Sequence, residues 1–96
     1  PADFALRCKG DSMINARIYD GDLVFIRKQD TVNNGEIAAV LVEEEATLKR
    51  VYTDERTITL VAENSSFPPI LIDRKKDSQM VFKILGKAVA FQSNLD

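Results

Sequence analysis

The sequence contains serines, lysines and a lone cysteine, Cys8, that could act in covalent chemistry, but it contains no histidine, so the base of an enzyme would have to be a carboxylate or a lysine. Catalysis by a Ser-His-Asp or Cys-His arrangement is therefore excluded, since no imidazole is present to act as the base. A zinc hydrolase is disfavoured as well, because its usual histidine ligands are missing. A serine activated by a lysine remains as the nucleophilic pairing that can work at neutral pH.

A lysine can act as a general base only if its pKa falls far below the ordinary value. At a pKa of about 10.4 the amine is almost wholly protonated at neutral pH. Burial away from water disfavours the charged form and can lower the pKa by about 3–5 pH units. A catalytic lysine is therefore expected at a buried position that lacks a carboxylate partner.

Lys49 is the lysine that best meets this requirement. It lies in the alternating segment 46–52, in which successive side chains of a strand point to opposite faces. Its neighbours on the same face are Thr47 and Val51, so no carboxylate is predicted beside its amine. The Thr47 hydroxyl could orient that amine through a hydrogen bond without stabilising its charge as a carboxylate would. The other lysines lie near turns, in a loop or opposite the apolar side of the last strand: Lys9, Lys28, Lys75, Lys76, Lys83 and Lys87.

Ser12 is the candidate nucleophile. It follows Gly10 and Asp11 at the start of a short helix predicted for residues 12–18, with Asp11 as its N-cap. A serine in this setting is usually a turn or capping residue, and an isolated lysine in a strand usually faces solvent. Composition and periodicity do not show that Ser12 and Lys49 meet, so they leave a Ser–Lys mechanism as one hypothesis beside these structural roles.

Short β-strands are predicted to surround these residues. Apolar or alternating segments bounded by turn residues indicate strands at residues 23–26, 37–42, 46–52, 57–61 and 70–72, with one more within 80–91. The turn signal at residues 33–35 is predicted to join the first two strands as a hairpin. The glutamates at 43–45 are predicted to form an exposed turn. The fold class is therefore mostly β: a small antiparallel β-domain with one short helix near the candidate nucleophile.

The last strand has its own pattern. Gly86 is predicted to mark a bulge or a bend in it, as glycines inside strands often do. Strand alternation is predicted to place five apolar side chains on one face: Met80, Phe82, Ile84, Ala88 and Ala90.

Composition limits the possible functions. Ninety-six residues, of which 45% are hydrophobic, suit one compact domain. The net charge is −2, and the one dense basic run, at residues 74–76, is interpreted as a solvated loop, so the chain is not expected to bind DNA by itself. Cys8 alone allows no disulfide and suits a reducing cytosol, and no apolar run is long enough to span a membrane. No metal and no other cofactor is expected.

The order of motifs resembles the LexA-type serine–lysine peptidase family, which includes LexA, phage lambda-like repressors and UmuD polymerase subunits. Residues 9–16, KGDSMINA, followed by IYDGDLV at 18–24, resemble the nucleophile region of that family. Further blocks follow in the family's order: NGEIA at 34–38, EATLKR at 45–50, LVAEN at 60–64 with PI at 69–70, and ILGKAV at 84–89. The resemblance covers nearly the whole chain.

The resemblance implies an all-β fold of the LexA and signal-peptidase type and assigns roles to individual residues. Ser12 would be the nucleophile, Lys49 its general base and Thr47 a support for that lysine. Backbone N–H groups of Ser12 and Asp11 would hold the oxyanion. Arg17 stands where the family commonly has glycine, which is expected to alter the local turn but not the chemistry.

The function that the resemblance implies is that of a repressor. Residues 1–96 would be the C-terminal domain of a cytoplasmic bacterial or prophage transcriptional repressor, which forms a homodimer and cleaves its own chain when stimulated by an activated RecA filament. DNA would be contacted only through an N-terminal domain that lies upstream. The scissile Ala-Gly or Cys-Gly bond is also expected upstream, since none occurs before Ser12.

Two alternatives stay open. One is a UmuD-like subunit of a translesion polymerase, which would be cleaved in the same way but would carry a short arm in place of a helix-turn-helix domain. The other is a dimerisation module of a phage-type repressor that does not cleave itself. An upstream Ala-Gly or Cys-Gly bond would argue against the second.

Overall fold

The alternating segments form β-strands in the computed structural model, which describes residues 1–94. The strands are shorter than ten residues except for the last, and a single 3-10 helix, Ile14–Ala16, lies between the first two. In chain order the strands are β1 (Phe4–Arg7), β2 (Leu23–Lys28), β3 (Ile37–Val42), β4 (Glu45–Thr53), β5 (Thr57–Val61), β6 (Ile70–Asp73) and β7 (Phe82–Gln92).

The seven strands form one sheet in the order β1-β2-β7-β3-β4-β5-β6, and every neighbouring pair is antiparallel. The sheet is curled, which brings loops that are distant in the sequence to the same side of the domain. The predicted fold class, mostly β and antiparallel with one short helix, is confirmed. No helix among the described residues has both the length and the apolar character needed to cross a bilayer.

The predicted hairpin between β2 and β3 is wrong, because β7 lies between these two strands and pairs with both. The turn at 33–35 is instead bonded to β4. The Asn34 side chain donates to the Thr53 carbonyl at 3.2 Å and accepts from the Thr53 N–H at 2.8 Å, and the Gly35 N–H donates to Val51 at 2.9 Å. The turn at 33–35 was predicted correctly, but its hydrogen bonds are made with β4, which comes later in the sequence.

The pairing of β7 is irregular at Gly86, as expected for the predicted bulge. Its register against β3 shifts beside Gly86, and its register against β2 shifts a second time further along. The prediction of a single apolar face is wrong, because each extra residue reverses the alternation. Phe82 and Ile84 pack against one core cluster, whereas Ala88 packs against the other.

The two core clusters cover opposite faces of the sheet, and neighbouring residues of β3 belong to different clusters. The first cluster contains Cys8, Met13, Ile18, Val24, Ile26, Ala39 and Leu48. The second contains Ala38, Val40, Val51, Ile58, Leu60 and Ile72. Burial of each large apolar side chain contributes roughly 1.5–3 kcal/mol, so the central strands are fixed from both sides.

No sequence pattern predicted β1, an edge strand whose side chains are mostly exposed and of which only Leu6 is half-buried. The predicted helix is also shorter than expected, since only residues 14–16 are helical. Asp11 does not cap it: Met13 is the N-cap residue, and no side chain bonds to the helix end. The loss of the predicted first turn places Ser12 in a bend before the helix.

Candidate active site

A cavity of about 960 Å³ opens beside the bend that carries Ser12. The four residues singled out from the sequence all line it: Asp11, Ser12, Thr47 and Lys49. Ser12 and Lys49 reach it from parts of the chain that are far apart in sequence, and only the curl of the sheet brings them to one cavity. The arrangement therefore has the components of a serine nucleophile and a lysine base on a shared surface.

The bend that carries Ser12 is held on one side by the core. Met13, the next residue, is 0% exposed and packs in the first core cluster. On the other side the Gly10 N–H donates to the Asp20 carboxylate at 2.7 Å, and the Gly21 N–H donates to the Cys8 carbonyl at 2.8 Å. The Asp-Gly-Asp turn at 20–22 therefore fixes the chain immediately before Ser12.

A second set of hydrogen bonds reaches the same bend from the end of β5. The Asn64 side chain donates to the Asp11 carbonyl at 2.9 Å, and the Asn15 N–H donates to the Glu63 carbonyl at 2.8 Å. The Glu63 carboxylate in turn accepts from the Arg50 guanidinium. No role for Asn64 was predicted from the sequence, although a polar pair directly after a buried strand in a recognised motif was a signal for one.

Lys49 lies in β4 opposite Ala38 and is only 9% exposed. Within residues 1–94 no carboxylate forms an ion pair with its amine. Burial lowers the pKa of Lys49, and the more distant charges of Glu45 and Cys8 oppose that shift by favouring the ammonium. The Phe67 ring lies beside the amine, with its centroid 5.9 Å from Nζ. A buried lysine without a counter-ion is the environment that a neutral amine base requires.

Thr47 lies two residues before Lys49 on the same strand and is half-buried at the cavity. No hydrogen bond joins its hydroxyl to the Lys49 amine in the described part of the chain. The structure therefore brings Thr47 to the site without a direct contact that would assign it a role.

Two backbone N–H groups beside the cavity have no acceptor among the described residues. Neither the Ser12 N–H nor the Asp11 N–H donates a hydrogen bond to another of the residues 1–94. Both residues line the cavity. These two groups are therefore free to bind an oxygen atom of a molecule that enters it.

Cys8 also lines the cavity, but its thiol is a poor competitor of Ser12. Burial raises the pKa of Cys8, and the carboxylates of Asp22, Asp20 and Asp11 raise it further. A thiol is nucleophilic only as the thiolate, which these surroundings disfavour. As for metals, the described residues contain no group of three acidic or cysteine side chains placed to hold an ion.

Arg17 ends the 3-10 helix in the left-handed conformation, with a φ of 65°, which favours glycine over residues with a side chain. A side chain costs about 1–2 kcal/mol in this conformation, whereas glycine adopts it freely. We expect Arg17→Gly to raise the free energy of unfolding by about 0.5–1 kcal/mol after the larger unfolded-state entropy of glycine is subtracted. Denaturant unfolding measures this change. Arg56→Gly, an exposed arginine without a positive φ, is the control and should lower stability; a similar loss for Arg17→Gly would contradict the explanation.

Comparison with known proteins agrees with this geometry. The sequence matches the family model described as Peptidase S24-like over residues 1–89. It is 44% identical to the LexA repressor of Magnetococcus marinus over 91 residues, which are 95% of this chain and 38% of that protein. It is 48% identical to the LexA repressor of Thermosipho africanus over 83 residues, 86% of this chain and 41% of that protein.

The chain therefore spans about 40% of the length of these relatives. The family model, however, covers nearly all of it, including the bend, the strand and the loop that line the cavity. A serine and a buried lysine at one cavity of a curled antiparallel sheet are thus found in a sequence whose relatives are LexA repressors, and the chain belongs to the Peptidase S24-like family as a LexA-type domain.

Proposed function

We propose that this chain is the C-terminal domain of a LexA-type repressor, which dimerises and cleaves a peptide bond in its own polypeptide with Ser12 as nucleophile and Lys49 as general base. One observation carries the proposal: a serine and a buried lysine without an ion-pair partner line the same cavity. Both are supplied by a chain of the Peptidase S24-like family.

The reaction begins with the neutral amine of Lys49. It takes the proton of the Ser12 hydroxyl while the oxygen attacks the carbonyl carbon of the scissile bond. The resulting ammonium then gives the proton to the departing amine, which leaves an acyl-enzyme on Ser12. Water attacks that ester with Lys49 again as the base, and the two polypeptide fragments separate.

Charge develops on the carbonyl oxygen in both steps. In this proposal the N–H groups of Ser12 and Asp11 hold it, and preorganised donors of this kind typically contribute about 3–4 kcal/mol each to transition-state stabilisation. The cavity wall also includes apolar side chains, among them Leu6, Leu48 and Ile70. These side chains can pack against the small apolar residues of a segment such as an Ala-Gly bond, while charged side chains line other parts of the cavity.

The proposed biological role follows from the relatives and the charge. The matched relatives are LexA repressors, which favours a repressor over a polymerase subunit. The net charge of −2 suits a domain that does not bind DNA by itself. A homodimer of this domain would hold two DNA-binding heads, carried by the upstream part of the protein, on a two-fold operator. Cleavage stimulated by an activated RecA filament would separate those heads from the dimerising domain.

The test is self-cleavage of the complete gene product. At about pH 10, where lysine loses its proton most readily, we expect the purified protein to be converted to two fragments identified by mass spectrometry. Ser12→Ala should remain intact, and Ser78→Ala, at an exposed serine in a turn away from the cavity, should be cut like the wild type. A folded wild type that stays whole, or a Ser12→Ala variant that is cut at the normal rate, would refute the proposal.

A further inference from the structure

Asn64 connects the two sides of the candidate site through its side-chain amide and its backbone carbonyl. Its side-chain amide donates to the Asp11 carbonyl at 2.9 Å. Its side-chain oxygen accepts from the Ser66 N–H at 3.0 Å, and its backbone carbonyl accepts from the Phe67 N–H at 3.0 Å. One residue thus bonds both to the bend that carries Ser12 and to the loop that carries Phe67.

The bond to Asp11 has a consequence for Ser12 because of peptide geometry. The Asp11 carbonyl and the Ser12 N–H belong to one planar trans peptide and point in opposite directions. Fixing the carbonyl on Asn64 therefore fixes the direction of the Ser12 N–H. The other donor to the same carbonyl, the Ile14 N–H, lies at a longer 3.4 Å, so the Asn64 amide is the better placed of the two.

The Ser12 N–H that is held in this way makes no other hydrogen bond within the described residues. It belongs to a residue on the cavity wall, where the oxygen of a reacting carbonyl would lie. The direction of this free N–H is set by the hydrogen bond that the carbonyl of the same peptide accepts. The N–H is therefore preorganised to stabilise negative charge that appears only in the transition state.

We propose that Asn64 is a positioning residue for the oxyanion site, which holds the Asp11–Ser12 peptide so that the Ser12 N–H points into the cavity. The proposal rests on the proposed self-cleavage and adds a residue to it. Through its bond to the Ser66 N–H the same side chain also orders the loop whose aromatic ring, that of Phe67, lies 5.9 Å from the Lys49 amine.

The chemistry of an amide suits this place. It offers a donor to the carbonyl and an acceptor to the Ser66 N–H while it stays neutral at every pH. An aspartate would keep the acceptor but lose the donor. A lysine would keep a donor but bring a second cation towards the Lys49 side of the cavity.

The test compares pH–rate profiles of self-cleavage in the complete gene product. At pH values where the base is fully deprotonated the rate reaches a plateau, which reports transition-state stabilisation, whereas the midpoint of the rise reports the base. We expect Asn64→Ala to lower the plateau by about 10- to 100-fold and to leave the midpoint unchanged. Asn64→Asp, which keeps the bond to Ser66, should lower the plateau by a similar factor even if Asn64→Ala folds poorly.

The control is Asn34→Ala, which removes two hydrogen bonds between an asparagine side chain and the backbone, at Thr53, away from the cavity. It should lose stability and keep the plateau, because a merely structural loss does not change the rate of the folded fraction. Plateaus within about twofold of wild type for both Asn64 variants would overturn the assignment, as would a shifted midpoint with an unchanged plateau in Asn64→Ala. A wild type that is not cut would instead refute the proposed function itself.

Discussion

Replacing Lys49 with methionine is expected to slow self-cleavage by about 10²- to 10⁴-fold, the usual contribution of a general base. Methionine is unbranched and apolar, so it can fill the space of the buried lysine stem without its charge. Lys83→Met, at an exposed lysine of β7, is the matched control and should leave the rate unchanged. A Lys49→Met protein that is cut within about tenfold of the wild-type rate would remove Lys49 from the mechanism.

Lys49→Met is also expected to raise the free energy of unfolding. Slow cleavage by a more stable protein would show that the variant has lost its base and not its fold. Because burial lowers the pKa of Lys49, the unfolded chain binds more protons than the folded one between that lowered value and the ordinary lysine value of 10.5. The cost of the buried ammonium is thus fully present below the lowered pKa and declines as pH rises through that window. Lys49→Met should exceed the wild type in free energy of unfolding at pH 7, and the difference should shrink towards pH 10.5.

The pH–rate profile of the wild type follows from the same shift. The deprotonated amine is the active form, so the rate should rise with pH and level off below the ordinary lysine value of 10.5, because burial lowers the pKa of Lys49. Glu45 opposes this shift, so Glu45→Gln should move the midpoint to lower pH. A profile of the complete gene product that is flat from neutral to alkaline pH would show that Lys49 is not the titrating base.

Much of the strand pattern could be predicted because it depends on the local order of apolar and polar residues. Residues 37–42 and 57–61 were predicted with the observed bounds of β3 and β5, since apolar or β-branched runs between turn residues have few other solutions. The pairing of the strands could not be predicted in the same way, because it joins segments that are far apart in the sequence. The partner that β2 and β3 share is the last strand of the chain, and no feature of the turn at 33–35 reports a strand that arrives so much later.

The site shows the same division. The absence of histidine and the setting of Lys49 in an alternating strand identified the candidate base from chemistry alone. Its place at the same cavity as Ser12 depends on the curl of the sheet and was expected only from the family resemblance. Asn64 illustrates what remained hidden. The role proposed for it depends on a bond to a backbone carbonyl far away in the sequence, and such a bond produces no periodic pattern of residues.

Gly86→Val is expected to prevent folding of the domain. A Cβ atom at Gly86 would lie 2.3 Å from the Arg27 carbonyl oxygen and 2.6 Å from a methyl carbon of Ile26. The oxygen is a backbone atom of β2, so it cannot turn away as a flexible side chain could. Relief would require β2 and β7 to separate at the centre of the sheet, where β7 also pairs with β3.

The size of the effect follows from what must be broken. Overpacking of a core usually costs about 1–3 kcal/mol where side chains can shift, and a clash with backbone exceeds that range. A small domain has roughly 5–15 kcal/mol of stability in total, so Gly86→Ala should already be severely destabilised and Gly86→Val unfolded.

Two controls identify the cause. Ala90→Val adds volume at an exposed position of the same strand and should remain folded. Gly10→Ala has nothing within 4 Å of the added atom but a φ of +81°, so it should lose only about 1–2 kcal/mol from backbone strain. Circular dichroism and denaturant unfolding measure these differences. A cooperatively folded Gly86→Val protein of wild-type stability would mean that β2 and β7 are not in the close contact on which the arrangement of both core clusters depends.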